Sequence, residues 1–210
     1  MERMYRPQKY FYDLTRKYYL LGRDQLLDKM QISGEDSVLE VGCGTGRNLV
    51  IAARRYPNAS FYGIDASDAM LESSFKKIKK FTIKNVMVKK ALADDYSFAK
   101  TFYLAQKFDV IYFSFSISMI ENWQAAIKNA IRNLKSGGII YFVDFFDQRH
   151  LSPSFRKLLT IWLGAFHVKY PSGFEAFLSE LESAGLGKQK ITPIFKSYSF
   201  IAEFKTRTQS

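Results

Sequence analysis

Three glycines at alternate positions, Gly42, Gly44 and Gly46, stand between a short apolar run and a helical one. Such a turn lets the main chain bend sharply and come close to a ligand. Its neighbours narrow the ligand. A dinucleotide fingerprint needs glycine or alanine at position 47, where Arg47 stands, and a phosphate loop needs a Gly-Lys-Ser/Thr ending that is absent. Glu40, just ahead of the turn, repels phosphate and suits a ligand bearing an ammonium and a sulfonium. Asp65 closes the next apolar run, about 20 residues on, where an acid accepts hydrogen bonds from ribose hydroxyls. A glycine turn or a strand-end aspartate alone is commonly structural. In this order, in register with a β-α-β pattern, they point to a nucleoside ligand with a cationic tail.

Other reactive residues are few. The one cysteine, Cys43, lies inside the turn, which leaves no separate thiolate nucleophile and no intrachain disulfide. His150 and His167 are the only histidines, so an imidazole base is one of them or neither. Asp144 and Asp147 either orient a cationic group or, for Asp147, cap the next helix. Tyr5, Tyr10, Tyr12, Tyr18 and Tyr19 crowd the first segment. They either pack an amphipathic helix or hold a cation against their rings, at roughly 0.5–2 kcal/mol each. No carboxylate cluster of the kind a metal-dependent transferase needs is evident, and no metal is expected.

These residues sit on an alternation of strands and helices. The patterning predicts a helix over about Gln8–Met30, strands at Ser37–Val41, Ser60–Ile64, Asn85–Lys90, Phe108–Phe113 and Ile139–Asp144, and helices over Arg47–Arg55, Ser67–Lys80 and Glu121–Leu134. Lys135–Gly138 reads as the turn after the last of these helices. Helices near Pro153–Phe166 and Gly173–Ala184 follow. Two closing β-runs, Gly187–Phe195 and Ser197–Phe204, are too close for a crossover and must form a hairpin. The fold expected is one α/β domain over residues 1–210: a doubly wound, seven-stranded, mostly parallel sheet ending in an antiparallel hairpin. Residues 1–34 form a helical cap over the site.

The bulk composition fits a folded domain: 47 % hydrophobic and 16 % aromatic residues over 210 positions. Met1–Arg6 is charged and aromatic and reads as no secretory leader, and no apolar run reaches the length of a membrane span. The lone cysteine fits a reducing compartment. A net charge of +11 favours acidic partners, either nucleic acid or an anionic membrane surface. Seven lysines between Phe75 and Lys90, with no acid, make either a solvated helix face or a docking patch. Phe155–Leu163 mixes basic and bulky apolar residues and is either an interfacial helix or a core helix.

Over nearly its whole length the sequence resembles the class I S-adenosylmethionine-dependent methyltransferases. The resemblance implies S-adenosylmethionine as donor and S-adenosylhomocysteine as product. It places Glu40, Gly42, Cys43, Gly44 and Gly46 around the methionine part and Asp65 on the ribose. Ala66 and Met70 would flank the adenine, with Leu92 and Ala93 on its other face and Ser114 at the end of the fourth strand. Many members carry an acid near position 91, where this chain has Ala91. The Asn/Asp-Pro-Pro-aromatic tetrad of nucleic-acid amine methyltransferases is replaced by Ser114-Phe115-Ser116-Ile117.

Four segments narrow the resemblance: Tyr12–Arg23, Glu40–Leu49, Ser116–Ile120 with Trp123, and Val143–Gln148, with Phe166-His167-Val168 also fitting. Together they look like the betaine-lipid N-methyltransferases, which convert diacylglyceryl-homoserine to its trimethylated form. A proline expected before Trp123 is replaced by Glu121-Asn122. This resemblance implies an amino-lipid substrate at the anionic inner face of the cell membrane, an otherwise cytoplasmic protein, and an aminocarboxypropyl transferase supplying the acceptor. Tyr18, Tyr19, His167 and Asp144 are its candidate catalytic residues. Another phospholipid amine, a small soluble amine, and a nucleic-acid-binding module on the same fold are the rival readings.

Overall fold

The computed structural model describes residues 20–149, 151–152 and 171–208. Its centre is a seven-stranded sheet. The strands are β1 (Ser37–Val41), β2 (Ser60–Asp65), β3 (Val86–Lys90), β4 (Phe108–Ser114), β5 (Leu134–Phe145), β6 (Gly187–Ile194) and β7 (Ser199–Thr206), in spatial order β3-β2-β1-β4-β5-β7-β6. The first five run parallel, and β7 pairs antiparallel with both β5 and β6. β1 and β4 are buried along almost their whole length, as strands covered on both faces must be.

Two apolar layers flank the sheet. One is packed by α1 (Arg23–Lys29), α2 (Arg47–Arg55) and α3 (Asp68–Lys80), through Leu26, Leu27, Leu49, Ala53 and Leu71. The other is packed by α4 (Phe98–Phe102), α5 (Trp123–Asn133) and α6 (Phe174–Ser183), through Phe102, Ala126, Ile127, Phe174 and Leu178. The chain leaves β1 toward one side and β4 lies on its other side, so a crevice opens at their carboxyl ends, where strand order reverses.

Three points differ from expectation. The helix expected over Gln8–Met30 is not continuous: residues 20–22 are not helical, Gly22 has φ 102°, and α1 begins only at Arg23. Residues 1–19, on which most of that expected helix and the first part of the cap expected over 1–34 fall, lie outside the described residues. Secondly, Lys135–Gly138 is not a free turn but the start of β5. A shift in register between Phe108 and Val110 absorbs it, with Gly137 at φ 76° and no room for a Cβ at Gly138 beside the Asp109 carbonyl. Thirdly, the short helix α4 had no sequence signal, being only five residues long. The helix expected near Pro153–Phe166, with the interfacial or core role of Phe155–Leu163, lies outside the described residues; the remaining expected elements fall within a few residues of expectation.

Candidate active site

The crevice at the strand-order reversal is a cavity of about 490 Å³. Its floor is the glycine turn. The amides of Gly42 and Cys43 both donate to the Ile64 carbonyl at 2.9 Å, and the Gly44 amide donates to Asp65 Oδ2 at 2.8 Å. Gly42, Gly44 and Gly46 all have positive φ, the left-handed region that costs a side chain least when it is absent. A Cβ on Gly42 would stand 2.6 Å from the Ser116 Cβ, and one on Gly46 would stand 2.2 Å from the Ser74 Oγ. The first glycine therefore lets the turn lie against the segment after β4. The third lets α2 start against α3.

Asp65 holds two elements at once. Besides Gly44, its Oδ1 accepts from the Ser67 amide at 2.9 Å, and the Ser67 hydroxyl caps α3 by accepting from the Met70 amide at 3.4 Å. Its carboxylate lines the cavity.

Glu40 is almost fully buried at the cavity wall. Burial pushes its pKa up to about 8, against the lowering effect of the Asn48 amide, which donates to Oε1 at 2.7 Å. Oε2, beside the equally buried Tyr112 hydroxyl, has no partner of full hydrogen-bond geometry. An unpaired buried carboxylate oxygen is costly, and a cationic N–H donor in the cavity would satisfy it. Burial, then the negative charges of Glu40 and Asp65, push the Cys43 thiol well above its ordinary range, so it stays neutral.

Ten of the eleven residues expected at the donor line the cavity: Glu40, Gly42, Cys43, Gly44, Asp65, Ala66, Met70, Leu92, Ala93 and Ser114. Gly46 does not; its space is taken by packing on Ser74. Ala91, where an acid was expected, also lines it, with Asp94 three residues further on.

The opposite wall comes from Ser114–Ser116 and Met119–Asn122. Phe115, at φ 52°, turns the chain out of β4, and a 3₁₀ turn at Ile117–Met119 follows. The Ser116 hydroxyl donates to the Val41 carbonyl at 2.8 Å, fastening this wall to β1. Asp144 is the one described candidate from the catalytic set, and its expected role needs correction. It is completely buried and does not line the cavity. Its Oδ2 accepts from the Ser118 amide at 3.0 Å and its Oδ1 from the Phe145 amide at 2.8 Å, so it positions the 3₁₀ turn and does not meet the acceptor. Burial pushes its pKa up to about 6. Asp147 accepts from the amide and Nε of Arg149. Tyr18, Tyr19, His150 and His167 lie outside the described residues.

Several lining residues were not read as site residues. Leu20 and Arg23 reach the cavity from the start of α1. The Asp24 carboxylate, accepting from Arg47 at 2.7 and 3.2 Å, ties α1 to α2, and the Ser199 hydroxyl ties the Leu21 carbonyl to β7 at 2.7 Å. Asn48 had a signal that was not used: a buried acid before the turn needs a partner in the first turn of the following helix. Met119 and Ile120 lie within Ser116–Ile120 but carry no chemical mark of their own.

A glycine turn, a strand-end aspartate and a buried glutamate, gathered at the reversal of a doubly wound sheet, define a nucleoside-binding methyltransferase site. Residues 32–198 match the methyltransferase-domain family, and the chain belongs to it. It is an S-adenosylmethionine-dependent methyltransferase. Among its relatives is the putative methyltransferase 235L of Invertebrate iridescent virus 6, 24 % identical over 203 residues, covering 93 % of this chain and 71 % of that protein. The YcgJ protein of Bacillus subtilis shares the fold with a TM-score of 0.68 at 16 % identity, over 92 % of this chain and all of that one. So does phospholethanolamine N-methyltransferase 2 of Haemonchus contortus, solved with phosphomonomethylethanolamine and S-adenosylhomocysteine, with a TM-score of 0.67 at 16 % identity. That match covers 90 % of this chain and 52 % of the worm protein, so this chain spans about half its length.

Proposed function

We propose that this methyltransferase acts on nitrogen, methylating the amine of diacylglyceryl-homoserine in successive steps to the trimethylated betaine lipid. The observation that carries the reading is the segment Ser116–Ile120. It belongs to the betaine-lipid resemblance and lies outside the donor fingerprint, yet it contributes Ser116, Met119 and Ile120 to the cavity wall. The worm enzyme of like fold was solved with a methylated amine of the phosphoethanolamine kind, which supports an amine acceptor on this scaffold.

S-adenosylmethionine, when bound, supplies an electrophilic methyl on a sulfonium. Glu40 would accept hydrogen bonds from the ammonium of the methionine part and Asp65 from the ribose hydroxyls, and Gly42 and Gly44 would give the main chain its close approach. Ala66 and Met70 cover one side of the adenine, and Leu92 and Ala93 the other. Cys43 and Ser114 complete the wall. The transfer is an in-line displacement, so the chain's work is to align nitrogen with methyl and exclude water. The acceptor ammonium must lose a proton before each transfer. Tyr18 and Tyr19 cap the acceptor by cation–π contact, and His167 takes the proton. The protein works at the inner face of the cell membrane as a peripheral, otherwise cytoplasmic enzyme, on acceptor made by an aminocarboxypropyl transferase.

An acceptor panel tests this. Purified protein receives S-adenosylmethionine with diacylglyceryl-homoserine, phosphatidylethanolamine or a small soluble amine, and kcat/KM is compared. The homoserine lipid is expected to lead by at least about 100-fold, a span one well-matched polar group can provide. Equal or greater activity on either rival overturns the reading.

A further inference from the structure

We infer that the face made by α3 and the edge strand β3 docks the protein onto an anionic lipid bilayer beside the mouth of the cavity. The inference rests on the lipid-acceptor reading and extends it to where the enzyme meets its substrate.

The charge on this face is one-sided. From Ser73 to Ala93 the chain carries seven lysines and no acid. Lys76 pairs with Glu72 at 2.7 Å, Lys90 with Asp68 at 2.5 Å, and Lys77 donates to the Thr45 hydroxyl at 3.1 Å. Lys79, Lys80, Lys84 and Lys89 are exposed, with no carboxylate partner among the described residues.

Apolar side chains are set among these cations. Phe75 is 55 %, Phe81 45 %, Met87 45 % and Leu92 58 % exposed, which is half of the large exposed apolar side chains among the described residues. Asp68, Phe75 and Lys79 share one stripe of α3, being seven and eleven residues apart. The Asp68–Lys90 pair brings that stripe alongside β3, whose outer side has no neighbouring strand.

A merely solvated helix face has no use for exposed phenylalanines. Aromatic and aliphatic groups among flexible cations suit the boundary between headgroups and acyl chains, where apolar groups insert and lysine stems reach back to phosphates. Stacking on nucleic-acid bases fits less well. The Phe81 ring already has Arg54 at 5.8 Å and Lys80 at 5.9 Å from its centroid, and Leu92 offers no flat face. Leu92 also joins this face to the site, because it lines the cavity while exposed. An acceptor lipid leaving the bilayer there meets the cavity wall directly.

Flotation of the full chain with vesicles tests the inference. The protein is expected to float with phosphatidylcholine vesicles containing about 30 % phosphatidylglycerol, less so as salt rises, and not with phosphatidylcholine alone. Lys79→Gln, Lys80→Gln and Lys84→Gln together should lower partitioning about 100-fold, at about fivefold per lysine. Phe75→Ser should lower it by roughly tenfold. Unchanged S-adenosylmethionine affinity confirms that the variants are folded. Equal flotation with both vesicle types, or a triple variant that floats like the parent, overturns the inference. So does salt-sensitive RNA binding that the triple variant loses while its flotation persists. Methylation of diacylglyceryl-homoserine in neutral detergent micelles separates the two readings. Activity there with no flotation sinks the docking face alone, and flotation with no lipid product in micelles sinks the substrate.

Discussion

The two walls of the cavity are built in different ways. The donor wall is made from consecutive strand-to-helix turns: Glu40 to Asn48, Asp65 to Met70, and Ala91 to Asp94. Its geometry is mostly main chain, with amides of Gly42, Cys43 and Gly44 tied to Ile64 and Asp65. The acceptor wall joins distant segments, Leu20 and Arg23 with Ser116 and Met119–Asn122, through side chains such as Ser116, Asp144 and Ser199. One wall is fixed by backbone conformation and accepts few residue types. The other is fixed by packing, and its residue types are free to follow the acceptor.

Substitutions should divide along the same line. The largest effect is expected at Gly42→Val, where a β-branched side chain enters a positive-φ position 2.6 Å from Ser116 Cβ. S-adenosylmethionine affinity by titration calorimetry should fall at least about 100-fold, with a lowered Tm. Asp65→Ala comes next: it removes the acceptor of the Gly44 and Ser67 amides and, in the proposed reading, of the ribose, and affinity should fall roughly 30-fold, as expected for charge-assisted hydrogen bonds. Retention of full affinity in either variant breaks the division.

Glu40 sharpens it through pH. Its folded pKa, about 8, lies above the ordinary 4.5, so the folded chain holds a proton more tightly than the unfolded one. Ligand-free stability should therefore fall as pH rises from about 5 toward 8, and stay low above that. A bound ammonium favours the ionised form, so donor affinity should rise with pH up to about 8, by up to roughly tenfold per unit, with proton release. Glu40→Gln should flatten that slope.

On the acceptor wall, Ile120→Ser should raise the acceptor KM about fivefold to tenfold through lost apolar contact, leaving donor affinity alone. The smallest effect on the cavity itself is expected at Asp144→Asn, which acts on it only through the 3₁₀ turn, by exchanging one buried acceptor oxygen for an amide facing a backbone N–H. A stability loss of about 1–3 kcal/mol, read as a drop in Tm, should come with a raised acceptor KM and an unchanged donor Kd.

The same contrast decides what the sequence could disclose. Glycines at positive φ and an acid at a strand end leave marks because few residues can replace them, so Gly42, Gly44 and Asp65 could be placed before any coordinates. Gly46 has the same mark but a different cause, the approach of Ser74, which only the packing of α2 on α3 reveals. Asp144 looked like an acceptor ligand because an aspartate at a strand end near the crevice often is one. That it points into the protein depends on the amides of Ser118 and Phe145, which spacing does not give. Leu20 and Arg23 reach the cavity only because Asp24 meets Arg47 and Ser199 meets Leu21 across the fold. The start of α1 only at Arg23 is hidden by an amphipathic pattern that continues through Gly22.

In the proposed reading the packed wall, with Ser116, Met119 and Ile120, receives a lipid amine. Mass spectrometry of lipid extracted after purified protein is incubated with methyl-labelled S-adenosylmethionine and diacylglyceryl-homoserine tests it most directly. Labelled mono-, di- and trimethylated lipid are expected to appear in that order. Donor binding intact by calorimetry with the lipid left unmethylated would contradict the reading.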